Sequence, residues 1–105
     1  MDNFINVNVN KLANIYFEGK VISRNILFKD GSKKTLGVML VGEYEFNTLD
    51  RELMEIISGK LYMRIKGEEE WLLIKEGMSF NIPKNSSFNV KVIELVNYAC
   101  SYFDN

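Results

Sequence analysis

The chain has 105 residues, 47% of them apolar and 26% charged, with 13 Lys and Arg against 14 Asp and Glu for a formal net charge of −1. This is the size and make-up of one soluble domain with one core; the lack of a basic patch argues against a nucleic-acid partner, and no apolar run approaches the length of about 20 residues that a membrane helix needs. Histidine is absent, which removes imidazole as acid, base or metal ligand, and the single cysteine, Cys100, cannot form an internal disulfide and fits a cytoplasmic protein.

Residues 1–15 are Asn-rich, carry little pattern and read as an N-terminal arm or edge strand ahead of one domain over 16–105. They lack a basic stretch followed by an apolar core, so no signal peptide is expected. From there, short segments rich in β-branched and aromatic residues alternate with turn chemistry. In order they are "KVISRNILF" (20–28), "TLGVMLV" (35–41), "YEFNT" (44–48), "LYMRIK" (61–66), "WLLIK" (71–75), "MSFNI" (78–82), "SFNVKVIEL" (87–95) and "YACSYF" (98–103). The turns between them are "KDGSKK" (29–34), "VGE" (41–43), "SGK" (58–60), "KGEEE" (66–70), "KEG" (75–77) and "KNSS" (84–87). Leu61, Met63 and Ile65 alternate with Tyr62, Arg64 and Lys66, and Phe88, Val90 and Val92 with Asn89 and Lys91, which places each apolar set on one strand face. "LDRELMEIISG" (49–59) fits a helix capped by Asp50 or a strand with Glu52, Met54, Ile56 and Ser58 on one face. The strand is preferred, because Gly59 then makes a hairpin turn into "LYMRIK". Many short strands at regular spacing make the chain all-β, a sandwich or a barrel.

"GMSFNIP" (77–83) has the Gly, five residues, then Pro that opens the second sequence box of the cupins, and Glu52 with Gly59 matches the Glu-x6-Gly of the first. The histidine slots of the first box fall on Glu45 and Asn47, on Phe46 and Thr48, or on Thr48 and Asp50, depending on register. The histidine place of the second holds Phe88. The expectation is a cupin (RmlC-like jelly-roll) barrel, one domain, with no metal and no cofactor.

A more specific resemblance rests on "YFEGKV" (16–21), "TLGVMLVGEYEF" (35–46), "EIISGKL" (55–61), "EEWLLIKEGMSFNIP" (69–83), "SSFNV" (86–90) and "YACSY" (98–102). In this order and spacing they make the chain resemble the small cupin-fold pyrimidine/purine nucleoside phosphorylases over about residues 16–103. The resemblance implies phosphorolysis of purine and pyrimidine nucleosides to free base and pentose 1-phosphate, with nucleosides and inorganic phosphate as partners. A non-catalytic, metal-free cupin that binds a sugar or nucleoside-like ligand is the alternative.

Such chemistry passes through an oxocarbenium-like centre and needs a base slot, ribose contacts, phosphate donors and a way to offset charge on the leaving base. Glu52 is the candidate catalytic group, either as a poorly solvated acid that protonates the base or as an ionised acceptor of ribose hydroxyls. Phe88 is the candidate stacking surface, worth roughly 1–3 kcal/mol per base. Glu43, Tyr44 and Thr48 are candidates for ribose, Asn81 and Ser87 for base or phosphate, and Tyr98, on the same strand face as Cys100, completes the substrate-binding set. The phosphate ligands stay open among Lys20, Arg24, Arg51, Lys60 and Lys84. Trp71 is expected in the core or an interface, and a homodimer is expected because small sheets cover their edges.

Overall fold

The computed structural model describes residues 2–104, and the β-branched and aromatic segments form nine strands among them. These are β1 (Asn8–Val9), β2 (Asn14–Tyr16), β3 (Val21–Leu27), β4 (Lys33–Met39), β5 (Gly42–Asn47), β6 (Arg51–Ile65), β7 (Leu72–Lys75), β8 (Ser79–Ile82) and β9 (Ser87–Phe103). A single 3-10 turn, Phe17–Gly19, joins β2 to β3. No helix among the described residues is long and apolar enough to cross a membrane.

The ambiguous segment 49–59 is strand, but it does not end in a hairpin. β6 continues through Gly59 without reversing, and the two segments expected over 87–103 are likewise one strand, β9. The two long strands pair antiparallel from Arg51↔Phe103 to Ile65↔Phe88, with register shifts between Ile56 and Leu61. At that bend Gly59 has φ +93, and a Cβ there would lie 2.1 Å from the Leu95 carbonyl oxygen. Glycine is required here by a left-handed backbone and by the close approach of β9, not by a reversal of the chain.

All strands belong to one sheet, with pairing order β1-β3-β4-β9-β6-β7, β2 on β3, β5 on β9 and β8 on β6. This corrects the expected barrel: the pairing path ends at β1 and at β7 and does not close. The reason lies in the two long strands. Residues 96–101 of β9 pair with β4 and residues 87–92 with β5. Residues 52–55 of β6 pair with β8 and residues 60–63 with β7. Each long strand therefore carries different neighbours on either side of its bend, so the sheet folds over on itself with no ladder across the gap. Met39, Ile56, Leu61, Met63, Ile82 and Val96 are buried between the folded halves. The alternation read from the sequence holds, with Leu61 and Met63 inside and Tyr62 outside.

Two loops are tied at one end of the fold by Thr48, which is 4% exposed. Its hydroxyl donates to the Pro83 carbonyl at 2.7 Å and accepts from the Ser86 amide at 2.9 Å. Replacing it by Val leaves that carbonyl and that amide without their partner. Thr48→Val should lower the unfolding free energy by about 1–3 kcal/mol, read from the urea midpoint at unchanged m-value.

Candidate active site

The site grows from one stretch of the β6–β9 ladder. Glu52 lies opposite Tyr102, Met54 opposite Cys100 and Ile56 opposite Tyr98. Alternate residues of a strand share a face, so Tyr98, Cys100 and Tyr102 project together toward the side chain of Glu52. On the other flank of β9, Thr35 of β4 lies opposite Cys100, and Lys33, two residues earlier, places its Nζ 5.9 Å from the centre of the Tyr102 ring. Glu52, Met54, Tyr98, Cys100, Tyr102 and Lys33 floor a cleft of about 520 Å³, within the range of about 300–1,000 Å³ usual for small-molecule sites. Tyr16 and Phe17 stand at its rim, and Phe46 and Phe88 form an aromatic wall.

The polar groups of the floor hold one another. Cys100 Sγ donates to Glu52 Oε1 at 3.4 Å, and the Tyr102 and Thr35 hydroxyls are 3.0 Å apart. Tyr98 and Ser23 line the cleft beside them. Gly37 makes room for that tyrosine, since a Cβ at 37 would sit 2.7 Å from the Tyr98 ring. Burial raises the Glu52 pKa above the usual carboxylate value; the nearby Asp50 carboxylate adds to the rise and the Cys100 thiol opposes it. Burial pushes Tyr98 up to about 12 and raises Cys100 and Tyr102 as well. At neutral pH the three are uncharged hydrogen-bonding groups around the poorly solvated carboxyl group of Glu52. Lys33 is the one cation among the described residues that line the cleft, where Glu45 and Asp50 add negative charge. No group of three or more His, Cys, Asp or Glu side chains that could hold a metal ion occurs among the described residues.

Of the residues singled out from sequence, Glu52, Phe88 and Tyr98 meet in this cleft. Phe88 is only 1% exposed, and Phe46 stacks on its ring at 5.3 Å. Tyr44 is buried, its hydroxyl donating to the Leu40 carbonyl at 2.7 Å, and Thr48 is engaged in the loop tie described above. Glu43 is exposed on β5, opposite Lys91. Asn81 is exposed and accepts a bond from Arg51 at 3.1 Å. Ser87 pairs with Asn47, one residue before inward-facing Phe88. None of Glu43, Asn81 and Ser87 lines the cleft, nor do Lys20, Arg24, Arg51, Lys60 or Lys84. Trp71 is half-buried, with Arg64 at 4.4 Å and Lys91 at 4.2 Å from its ring centre. Lys33, Tyr102, Phe17 and Phe46 were not singled out. For Tyr102 the signal was present, since it follows Tyr98 and Cys100 at two-residue steps.

Comparison with known proteins identifies the family. The family model described as pyrimidine/purine nucleoside phosphorylase matches residues 11–102. A pyrimidine/purine nucleoside phosphorylase of Sulfurovum sp. is 56% identical over 102 residues, covering 97% of this chain and 99% of that protein. The crystal structure of a protein of unknown function from Acinetobacter sp. ADP1 superposes with a TM-score of 0.93 at 41% identity, covering 96% of this chain and 98% of that one. An RmlC-like cupin from Shewanella frigidimarina, at 11% identity, superposes with a TM-score of 0.71 over 98% of this chain and 89% of its own, which shows a shared fold alone. Matched from Lys11 in its arm to Tyr102, the last tyrosine of the cleft floor, this chain belongs to the pyrimidine/purine nucleoside phosphorylase family.

Proposed function

We infer that the cleft is where this chain carries out nucleoside phosphorolysis. An oxygen of inorganic phosphate bonds to the anomeric carbon while the bond from that carbon to the base breaks. The electron pair leaves with the base, which takes up a proton, and the products are a free base and a pentose 1-phosphate. The observation that carries this reading is Glu52, a carboxylate raised by burial that faces an aromatic-walled cleft.

Each group has a task that its surroundings suit. Glu52 delivers the proton to the departing base. Bound phosphate brings further negative charge nearby, which favours the protonated carboxyl when it is needed. The Tyr98 and Tyr102 hydroxyls are neutral partners for the ribose hydroxyls, and the aromatic rings at the mouth of the cleft take the base. Lys33 holds the phosphate at the opposite flank of Tyr102, with two strand spacings of about 4.8 Å each between its strand and that of Glu52. The unclosed ends of the sheet at β1 and β7 are strand edges of the kind a second copy covers, and a cytoplasmic homodimer is part of this reading.

The test is to incubate the purified protein with uridine or adenosine and phosphate and to follow free base by chromatography. Base release that requires phosphate is expected, and its absence from folded protein overturns the reading. Lys33→Ala should raise the KM for phosphate about ten- to a hundredfold, the weight of a hydrogen bond to a charged group. The KM for nucleoside should change little, and Lys33→Arg should restore phosphate binding.

A further inference from the structure

Phe17 lies in a backbone conformation that its side chain disfavours. Phe17, Glu18 and Gly19 have φ of 52, 57 and 90 in succession, all in the left-handed region, and only the third is glycine. The left-handed conformation costs roughly 1–2 kcal/mol for each residue with a Cβ, and a bulky aromatic residue there is uncommon. The turn is closed by the Lys20 amide donating to the Phe17 carbonyl at 3.1 Å, with no side-chain cap at Tyr16. None of its three residues is buried. The core therefore does not require a phenylalanine at this place. Strain that the packing does not call for is found where a site uses it.

The ring has a definite seat. It packs edge-on to Phe46, with centres 5.5 Å apart and an interplanar angle of 89°, and tilted against Tyr44 at 4.9 Å. It remains 41% exposed and lines the rim of the cleft, dividing it from a smaller depression beside Trp71. Phe88, the aromatic residue marked by the sequence, cannot offer a face to a ligand, because it is 1% exposed and stacked beneath Phe46.

We propose that Phe17, displayed over the cleft by this left-handed turn, is the surface on which the nucleobase stacks. The proposal rests on the phosphorolysis reading and adds to it the determinant of base tolerance. Stacking reads the π-face that every base has and not a pattern of donors and acceptors, so a plate of this kind admits purines and pyrimidines alike. Seating the ring beforehand on Tyr44 and Phe46 reduces the ordering cost when the base arrives.

The experiment compares wild type with Phe17→Ala, Phe17→Leu and Phe17→Trp. Phe17→Ala should raise the KM for uridine and adenosine about five- to 150-fold, the range that roughly 1–3 kcal/mol of stacking converts to. The rise should be larger for adenosine, whose purine offers more surface, with the KM for phosphate unchanged. Phe17→Leu keeps an apolar side chain but no π-face and should behave in the same direction, which covers the case in which the alanine variant does not fold. Phe17→Trp should bind at least as well as wild type. Nucleoside KM values within twofold of wild type in the Ala and Leu variants overturn the proposal while leaving phosphorolysis intact. Calorimetric titration with adenosine in the absence of phosphate separates the two claims. Binding by wild type that weakens in Phe17→Leu, with no base released on adding phosphate, sustains the stacking surface and removes the enzyme; no binding by wild type removes both.

Discussion

Glu52→Gln should lower kcat/KM for phosphorolysis by about 10²–10⁴-fold, the contribution of a positioned general acid, and at the same time raise the thermal midpoint. Glutamine has nearly the same shape and can still accept from Cys100, but it has no proton to give to a leaving base. The pH profiles tie the loss to titration. Activity of the wild type should fall as the pH rises through the elevated Glu52 pKa, because the ionised form cannot donate, and the variant should lack that limb. The stability gain has the opposite origin. A carboxyl group whose folded pKa lies above its ordinary value of 4.5 binds its proton more tightly in the folded chain than in the unfolded one. Stability is therefore lost as the pH climbs from the unfolded value through the folded one, and above the folded value the wild type carries the whole penalty. Removing the charge lifts it. Steady-state rates and melting curves from pH 4 to 9 check both halves. Unchanged turnover in the variant would remove Glu52 from the chemistry.

Gly59→Ala should be the most damaging single change to the fold, lowering the unfolding free energy by more than about 4 kcal/mol or preventing folding altogether. Two effects add. The backbone at φ +93 is strained for any residue with a Cβ, by roughly 1–2 kcal/mol. The new methyl group would also meet the Leu95 carbonyl oxygen at 2.1 Å, a backbone atom of the facing strand that moves only if β9 moves. Gly31→Ala is the control: its φ is +89, yet nothing lies within 4 Å of the added carbon. Urea unfolding of the pair separates strain from collision, and similar losses in both variants would show that the approach of β9 is unimportant.

The contrast between these glycines shows where the amino-acid sequence stops being informative. "DGS" at 30–32 and "SGK" at 58–60 look alike as turn signals, because a glycine with positive φ serves a reversal and a bend equally well. The chain reverses at the first and runs on at the second. Which one happens is decided by a strand over 30 residues away. Closure was illegible for a related reason. Alternation says which face of a strand is apolar, and it was right for β6 and β9, but it does not say whether the last strand finds the first. The floor of the site was legible where it shared that period, as with Glu52, Tyr98 and Cys100. It was not where the chemistry depends on partners. The hydroxyls of Tyr44 and Thr48 looked free and are engaged with the Leu40 and Pro83 carbonyls. Lys33 sat in what looked like a solvated turn, and only the register of β4 against β9 brings it beside Tyr102.

The two long strands also bear on how this protein can change. Glu52, Tyr98, Cys100 and Tyr102 are anchored in the most extensively paired ladder of the molecule, whereas Tyr16 and Phe17 hang from a three-residue strand at its margin. On the assignment proposed above, the reactive machinery is fastened to the last part to loosen, and the lip that greets the substrate is fastened to the first. A lineage can therefore retune which bases it accepts through substitutions in that lip, at little risk to folding and with the bond-breaking apparatus undisturbed.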